Sequence, residues 1–406
     1  MTTEEYIKLE DSYGTSNYKP LDMIVSKAKG VWVWDIEGNR YLDCVSAYSA
    51  VNHGHSHPKI LAVLKNQAEQ LALVSRAFRT DQIGPLSEQI CKLSSSRKVL
   101  FMNSGAEAVE TALKAVRKWG YQRKGVAPDK AEIIVCDGNF HGRTIAVVGF
   151  SSIPKYKEGF GPFPSGFTSV PFGDLPAFES AINENTVGFL VEPIQGEGGM
   201  NVPPDNYFRE IRRITRERNI SLIFDEIQCG LGRTGKLFAE DHESVRSDVL
   251  IVGKSLGGGY LPISAVLARG DELEVFGPGE HGSTFGGNPL ACAVARAALD
   301  VILDEQLTEN AARIGTHIRD RLAPLVGRSI RRIKGRGLMM GLELMPGAPA
   351  AGELAKQLLS HGLLCNAVTT SVLRFTPPLS IQDEEIDWAL ERLEAGLTTV
   401  ELPEAN

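Results

Sequence analysis

The stretch "ISLIFDE" (residues 220–226) is short, apolar on both faces, and ends in two carboxylates. Three further runs share this character, "AEIIVCDG" (131–138), "VGFLVEP" (187–193) and "DVLIVGK" (248–254). Runs of this length that would be buried on both faces are typical of the inner strands of a parallel sheet. The sequence therefore predicts a buried, mostly parallel sheet.

Helical patterns alternate with these runs. "KVLFMN" (98–103) leads into the helix-like "AEAVETALKAVRKWG" (106–120), and "DNYFREIRRITRERN" (205–219) has helical spacing after an Asp start. Strands that alternate with helices predict an α/β fold in which helices flank the sheet.

The chain is predicted to divide into three parts. Residues 1–57 form an N-terminal segment, in which "GVWVWDIEGNRYLDCV" (30–45) predicts a hairpin with its turn at Glu37-Gly38-Asn39. Residues 58–288 form a large domain, whose connection 151–174 is rich in Gly, Pro and aromatic residues and predicted to be packed. Residues 289–406 form a smaller α+β domain against which the N-terminal segment packs. Its predicted helices lie at 289–303, 307–325, 351–361 and 382–397. Its predicted strands are "KGRGLMMGLEL" (334–344) and "SVLRFTPP" (371–378).

Composition limits the function classes. With 43% hydrophobic residues, 23% charged residues and a net charge of −7, the 406-residue chain is globular and is not expected to bind nucleic acid. The six cysteines include no Cys-x-x-Cys pair, which favours a reducing compartment. "MTTEEYIKLEDSYG" (1–14) lacks the apolar region of a signal peptide, and no apolar run has the length of a membrane helix. We expect a cytoplasmic protein without a membrane partner.

Chemistry is expected where the strands end, because ligands bind outside the carboxyl ends of the strands in such sheets. Four strand ends carry polar residues: Asn103 to Ala106, Gly138 to Arg143, Asp225 to Gln228, and Lys254.

Lys254 and Asp225 together suggest a cofactor. A lysine between an apolar strand and glycines is partly desolvated, which lowers the pKa of its amine and favours a nucleophile. Pyridoxal 5'-phosphate (PLP) requires a Schiff-base lysine and an acid at its pyridine nitrogen. Asp225 would supply that acid, since an opposite charge about 4 Å away contributes about 4 kcal/mol at an effective dielectric of 20.

The remaining strand ends could hold the rest of PLP. The amides of Gly105 and Ala106 would begin a helix and bind the phosphate, Phe140 could stack on the ring, and Gln228 could bind its phenolic oxygen. Taken singly, each of these residues has an ordinary alternative as a turn, cap, loop or core residue. Their shared position at successive strand ends favours the cofactor site.

A competing site is the run "NHGHSHP" (52–58), whose His53, His55 and His57 would share one face of a strand and could bind the metal of a hydrolase. Pro58 follows immediately, which favours a turn and a helix start. The other five histidines offer no second cluster, and no metal is expected.

Three longer motifs carry a family resemblance, "LIFDEIQCGLGRTGKLFA" (222–239), "DVLIVGKSLGGGYLPISAVLA" (248–268) and "HGSTFGGNPLACAVA" (281–295). They resemble the class III aminotransferases of PLP fold type I, and the similarity covers essentially the whole chain. The resemblance implies a large PLP-binding domain plus a smaller α+β domain formed by the C-terminal part and the N-terminal segment.

The resemblance also implies roles for the cofactor residues. Lys254 would be the Schiff-base lysine and proton shuttle, and Asp225 would pair with the pyridinium. Gln228, Phe140, Gly105 and Ala106 would contact the cofactor as described above. His141 is also placed at the cofactor, although some family members have an aromatic residue there, so its role is open. Ser283 and Thr284 would reach the phosphate site of a neighbouring subunit, which implies a homodimer or higher homo-oligomer with shared active sites.

Shorter motifs resemble the branch of the family that transfers the δ-amino group of L-ornithine to 2-oxoglutarate, giving glutamate 5-semialdehyde and glutamate by a ping-pong mechanism. They are "GTSNYKPL" (14–21), "SAYSAVNHGHSHPKI" (46–60), "GNFHGRT" (138–144), "VEPIQGEGG" (191–199), "GEHGSTFGGNP" (279–289) and "RFTPP" (374–378). Relatives that act on N-acetylornithine or 4-aminobutyrate are the first alternative, and a non-catalytic PLP carrier is another.

Ornithine presents its δ-amine to PLP with a distant carboxylate, whereas 2-oxoglutarate presents a near one, so the site needs two anion clamps. The resemblance implies that Arg143 with Tyr18 holds the ornithine carboxylate and that Arg374 holds the glutamate α-carboxylate. Glu197 would neutralise Arg374 when ornithine is bound, and Tyr48 would set the preference for ornithine. On the residues alone, Arg374 could be a surface ion-pair partner, Glu197 a solvated turn carboxylate and Tyr48 a core aromatic. Without the resemblance, an ordinary structural role would be favoured for Tyr18 and Tyr48.

Overall fold

The computed structural model describes residues 1–398, so the last eight residues of the predicted C-terminal domain lie outside the described part. The strands of the described part are β1 Val25–Lys29, β2 Trp32–Asp35, β3 Arg40–Asp43, β4 Lys98–Met102, β5 Glu132–Cys136, β6 Phe167–Val170, β7 Thr186–Val191, β8 Ser221–Asp225, β9 Val249–Val252, β10 Ser264–Ala268, β11 Ile330–Arg336, β12 Met339–Leu344, β13 Leu363–Leu364, β14 Asn366–Ala367 and β15 Val372–Phe375.

The helices are α1 Thr3–Tyr13, α2 Ser46–Ser49, α3 Pro58–Gln70, α4 Ile83–Ser94, α5 Gly105–Trp119, α6 Ile145–Gly149, α7 Leu175–Ala181, α8 Tyr207–Glu217, α9 Pro289–Asp304, α10 Leu307–Leu322, α11 Ala351–Ser360 and α12 Asp383–Thr398. Shorter helical segments are Gly120–Lys124, Pro154–Tyr156, Ala239–His242, Lys254–Gly257 and Ala323–Leu325.

The centre of the molecule is a seven-stranded sheet in the order β4-β10-β9-β8-β7-β5-β6. Strands β6, β5, β7, β8 and β9 pair in parallel, and β10 is antiparallel to both of its neighbours. The predicted α/β class with a mostly parallel sheet is confirmed.

Residues of β8 show why this strand is apolar on both faces. Ile223 packs in one core with residues of α5, whereas Leu222 and Phe224 pack in a second core with residues of α8. Phe224 meets Phe208 of α8 edge to face, with ring centroids 4.9 Å apart. Helices therefore cover both faces, and the strand ends are the accessible part of the sheet.

The N-terminal and C-terminal parts of the chain are joined by strand pairing. β2 and β3 form the predicted hairpin, and Gly38 in its turn has a φ of 89°. β3 then pairs in parallel with β13, in one sheet of order β1-β2-β3-β13. The division at residues 57 and 288 stays a prediction.

Two sequence interpretations differ from the structure. "KGRGLMMGLEL" is not one strand but a hairpin of β11 and β12, because the chain turns at Gly337, which has a φ of 54°. A side chain at Gly337 would also meet the backbone of Thr234 at 2.3 Å. The connection 151–174 contains β6, which pairs with β5. Among the described helices none is long and apolar enough to cross a membrane.

Candidate active site

The loops that follow β5, β7, β8 and β9, together with the start of α5, line a cavity at the carboxyl ends of the strands. Seven of the nine predicted cofactor residues line it. The lining residues are Gly105, Ala106, Phe140, His141, Gly142, Glu192, Ile194, Asp225, Ile227, Gln228, Cys229 and Lys254.

Lys254 lies where β9 ends, as the first residue of a short helical turn, with a φ of 46°. Burial lowers the pKa of its amine from 10.5 to about 8, while the charges of Glu197 and Asp225 act in the opposite direction. With this pKa about a tenth of the amine is neutral at pH 7, far more than for an ordinary lysine, which makes it a competent nucleophile.

Asp225 ends β8 and is held on both oxygens. Its Oδ1 accepts a hydrogen bond from the Ile227 amide at 3.0 Å, and its Oδ2 lies 2.7 Å from His141 Nδ1. Burial would lower the pKa of His141, but the hydrogen bond and the charge of Asp225 raise it. The contact with His141 therefore stabilises the negative charge of Asp225.

The start of α5 forms an anion cradle. Ser104 and Glu107 make a reciprocal capping box, in which Glu107 N donates to Ser104 Oγ at 3.2 Å. The Gly105 and Ala106 amides lie in the first turn, where helix N–H groups have no intrahelical partner. A side chain at Gly105 would meet the Ile227 side chain at 2.9 Å, so glycine allows the start of α5 to pack closely against Ile227.

Within the described residues, two buried polar atoms of the cavity have no hydrogen-bond partner, Gln228 Oε1 and His141 Nε2. Buried polar groups are normally paired, so orphaned atoms at a cavity point to a ligand. A phosphate cradle, a buried amine, a buried carboxylate and these atoms together fit PLP.

Arg374 on β15 lies near this cavity and is almost fully buried. Its Nη2 lies 2.5 Å from Glu197 Oε1, which also accepts from Gln228 Nε2 at 3.2 Å. Burial would raise the pKa of Glu197, but the charge of Arg374, the hydrogen bonds from Arg374 and Gln228 and the charge of Lys254 together outweigh it and lower the pKa. Within residues 1–398, Arg374 Nε and Nη1 are buried without a partner, so the guanidinium can still bind a carboxylate.

Tyr48 stands over Arg374, with 4.7 Å between its ring centroid and the guanidinium carbon. It belongs to α2, which winds in the left-handed sense, since its four residues have φ between 43° and 73°. Left-handed helical geometry costs L-residues about 1–2 kcal/mol each. Such strain is typical of functional sites and requires the surroundings to hold it.

Arg143 stacks on aromatic rings, 3.6 Å from the centroid of Tyr156 and 5.5 Å from that of Phe140. Tyr18 is 81% exposed and is not one of the residues that line the cavity. The structure therefore brings Arg143 next to Phe140, and the shared clamp of Arg143 and Tyr18 stays a prediction.

Ser283 and Thr284 also lie outside the lining of this cavity. Ser283 Oγ accepts hydrogen bonds from Asn103 Nδ2 at 2.8 Å and from the Gly286 amide at 3.1 Å, whereas Thr284 is exposed. Their predicted role in the site of a neighbouring subunit stays a prediction.

Sequence reasoning missed Glu192 and Tyr156. Glu192 follows β7 and accepts from the Phe140 amide at 3.0 Å and the Gly196 amide at 3.4 Å. Burial raises the pKa of Glu192 to about 7. Its position after a buried strand was the available signal, the same one that identified Asp225. Tyr156 comes from the connection 151–174, where no sequence signal marks it.

The three histidines of the run 52–58 point to different partners. His53 Nε2 contacts the Ala298 carbonyl at 3.0 Å, His55 Nε2 contacts Asp43 at 2.9 Å, and His57 Nε2 contacts Glu305 at 3.1 Å. In the part of the chain that the structure describes, no group of three metal-ligand residues occurs. Pro58 begins α3, as predicted.

Comparison with known proteins identifies the family. The class III aminotransferase family model matches residues 13–397. The chain is 55% identical to the ornithine aminotransferase of Bordetella pertussis over 386 residues, which cover 95% of this chain and 94% of the relative. These matches involve nearly the full length of both chains.

Solved structures agree. An ornithine aminotransferase from Toxoplasma gondii, whose active site holds PLP at partial occupancy, superposes with a TM-score of 0.96 at 44% identity, covering 98% of this chain and 95% of that one. An acetylornithine aminotransferase from Elizabethkingia anophelis superposes with a TM-score of 0.88 at 42% identity, covering 98% and 99%. The chain that places Lys254 and Asp225 at neighbouring strand ends thus belongs to the class III aminotransferase family, whose members depend on PLP.

Proposed function

We propose that this chain transfers the δ-amino group of L-ornithine to 2-oxoglutarate, giving glutamate 5-semialdehyde and glutamate. The observation that carries the proposal is the buried Arg374, paired with Glu197 and covered by Tyr48. An arginine that is neutralised inside the site suits a donor without a carboxylate near the reacting amine.

PLP, when bound, withdraws electrons from the carbon that carries the transferred amine. Lys254 Nζ removes the proton from the δ-carbon of ornithine and delivers it during the transfer, which its lowered pKa allows. Asp225, supported by His141, would hold the proton on the pyridine nitrogen of the bound cofactor. Phe140 would contact the cofactor ring, and Arg143 would bind the distant α-carboxylate of ornithine.

In the second half-reaction Glu197 moves away from Arg374. The Nε and Nη groups of Arg374 then bind the α-carboxylate of 2-oxoglutarate in a bidentate manner. One site thereby serves two substrates that differ in where their carboxylate lies, which the ping-pong order requires.

The alternative donors are N-acetylornithine and 4-aminobutyrate. The structural similarity to the acetylornithine aminotransferase of Elizabethkingia anophelis is high enough to keep this alternative open. The greater identity to the Bordetella pertussis ornithine aminotransferase favours ornithine.

The proposal includes a homodimer, or a higher homo-oligomer, in which Ser283 and Thr284 complete the neighbouring site. A reducing, cytoplasmic location is also proposed, supported by six cysteines that are all free. A solution mass of two chains or a multiple of two would agree with the first point, and a monomeric active enzyme would contradict it.

The deciding experiment is a panel of single half-reactions. The purified PLP-loaded protein is mixed in turn with ornithine, N-acetylornithine, 4-aminobutyrate and lysine, and cofactor absorbance is followed. Ornithine should convert the cofactor fastest, and Lys254→Ala should convert none of it. Faster conversion by N-acetylornithine or 4-aminobutyrate would transfer the assignment to that donor.

A further inference from the structure

The left-handed helix α2 is held at its start by one carboxylate. Asp43 ends β3, and its Oδ1 accepts hydrogen bonds from the Val45 amide at 2.8 Å and from the Ser46 amide at 2.9 Å. Because Asp43 is buried, these bonds are shielded from water. The carboxylate thus fixes the direction in which the chain enters α2.

A second set of contacts ties α2 to the strand of Arg374. Thr376 lies two residues after Arg374, and its carbonyl accepts from Ser46 Oγ at 2.7 Å. Its amide donates to the Cys44 carbonyl at 2.8 Å, and its hydroxyl donates to the Val45 carbonyl at 3.1 Å. The segment that carries Tyr48 and the segment that carries Arg374 are therefore bonded directly to each other.

The other oxygen of Asp43 is held by His55, since Asp43 Oδ2 lies 2.9 Å from His55 Nε2. The backbone of His55 is fixed in turn by a reciprocal bridge with Gly30, at 2.7 and 2.9 Å. His55 comes from the histidine run, to which the proposed reaction gives no role. In the structure, His55 orients the carboxylate of Asp43, whose hydrogen bonds to the Val45 and Ser46 amides hold the start of α2.

We propose that Asp43, oriented by His55, is a positioning residue that holds Tyr48 over Arg374 and thereby favours ornithine as the amino donor. The inference rests on the proposed function, since it concerns the choice between ornithine and glutamate. Neither Asp43 nor His55 lines the cofactor cavity, so they act through α2.

The physical argument is the strain of α2. Four consecutive L-residues with positive φ return to ordinary backbone geometry when the contacts that hold them are removed. Tyr48 then leaves Arg374 exposed to the site. An uncovered Arg374 disfavours the ornithine half-reaction, because that half-reaction needs the guanidinium masked. The glutamate half-reaction needs the guanidinium free, so it remains nearly unchanged.

The test uses the PLP-loaded enzyme and three variants. Asp43→Ala removes the bonds to both amides, Asp43→Asn keeps an oxygen that can accept them, and His55→Gln loosens the orientation of the carboxylate. His57→Gln is the matched control, because His57 lies two residues away and contacts Glu305 instead of α2. The kcat/KM of the ornithine and glutamate half-reactions is measured separately, together with hydrogen exchange of residues 44–50.

In Asp43→Ala, kcat/KM for ornithine should fall at least about tenfold, a lower bound because two hydrogen bonds to a charged group are lost, while that for glutamate changes less than about twofold. Exchange of residues 44–50 should accelerate. Asp43→Asn should restore both readouts in large part, His55→Gln should lie between, and His57→Gln should match the wild type.

Equal losses in both half-reactions, or unchanged exchange of residues 44–50, would overturn the positioning role. If Asp43→Ala does not fold, the same comparison between His55→Gln and His57→Gln decides, since equal behaviour of the two variants also rejects the proposal. A wild-type protein that does not react with ornithine would instead refute the proposed function, so the two failures are distinguishable.

Discussion

Removal of the charge on Glu197 tests the proposed exchange of substrates most directly. Glu197→Gln keeps the shape of the side chain beside Arg374 but removes the counter-ion 2.5 Å from its Nη2. Two unit charges about 4 Å apart attract each other by about 4 kcal/mol at an effective dielectric of 20. The carboxylate is a quarter exposed and the amide retains a hydrogen bond, so the net effect is smaller, about 1.5–3 kcal/mol.

This free energy corresponds to a change of about ten- to a hundredfold. An arginine without its counter-ion attracts the near carboxylate of glutamate and repels the ammonium of ornithine. The ratio of kcat/KM for ornithine to kcat/KM for glutamate should therefore fall by that factor, with most of the loss on the ornithine side.

The assay is stopped-flow absorbance of each half-reaction over a range of substrate concentrations. Glu88→Gln serves as the control, because Glu88 forms an exposed ion pair with Lys92 on α4 and should change neither constant. A ratio that stays constant or rises in Glu197→Gln would refute the reasoning.

Four further outcomes are expected. Because burial lowers the pKa of Lys254 to about 8, its amine is half neutral near that pH. The rate at which cofactor-free protein takes up PLP should therefore rise with pH, with a midpoint near pH 8. A midpoint near 10.5 would show an unperturbed lysine. Asp225→Asn should lower kcat by on the order of 10²–10³-fold, since about 4 kcal/mol of charge stabilisation is lost, and a loss below tenfold in steady-state assays would dismiss its role at the pyridine nitrogen. Tyr48→Ile should reduce kcat/KM for ornithine much more than for 4-aminobutyrate, and equal losses would remove Tyr48 as the selector. Thr284→Val should weaken PLP retention on dialysis, although Thr284 lies outside the cavity of its own chain, and full retention would argue against the shared site.

The sheet was largely predictable because its strands are defined locally. "ISLIFDE" and "DVLIVGK" are apolar on both faces whichever strands they pair with, and they became β8 and β9. The order of the strands was not predictable, since β4 pairs with β10 across more than 160 residues of sequence. Pairing over that distance depends on the whole fold and not on the strand itself.

The candidate site was likewise predictable only in part. Strand ends identified Asp225, Lys254 and the Gly105 cradle, because position after an apolar run is a local signal. The conformation of Tyr48 could not be foreseen, since no glycine in α2 announces its positive φ angles. Contacts from Asp43 and Thr376 impose that conformation, and such contacts exist only in the folded chain.

The strand order also determines when the site can exist. β4 lies at the edge of the central sheet and leads into the phosphate cradle, but its partner in the sheet is β10, near residue 264. During synthesis β4 therefore cannot join the central sheet before β10 has been made, and long-range pairing of this kind is slow to form. A chain that stops before β10 has the lysine and the aspartate, but it lacks the strand that holds β4 and the entry to the cradle in the sheet. PLP binding would thus favour chains that contain β10, and by mass action it would stabilise those chains.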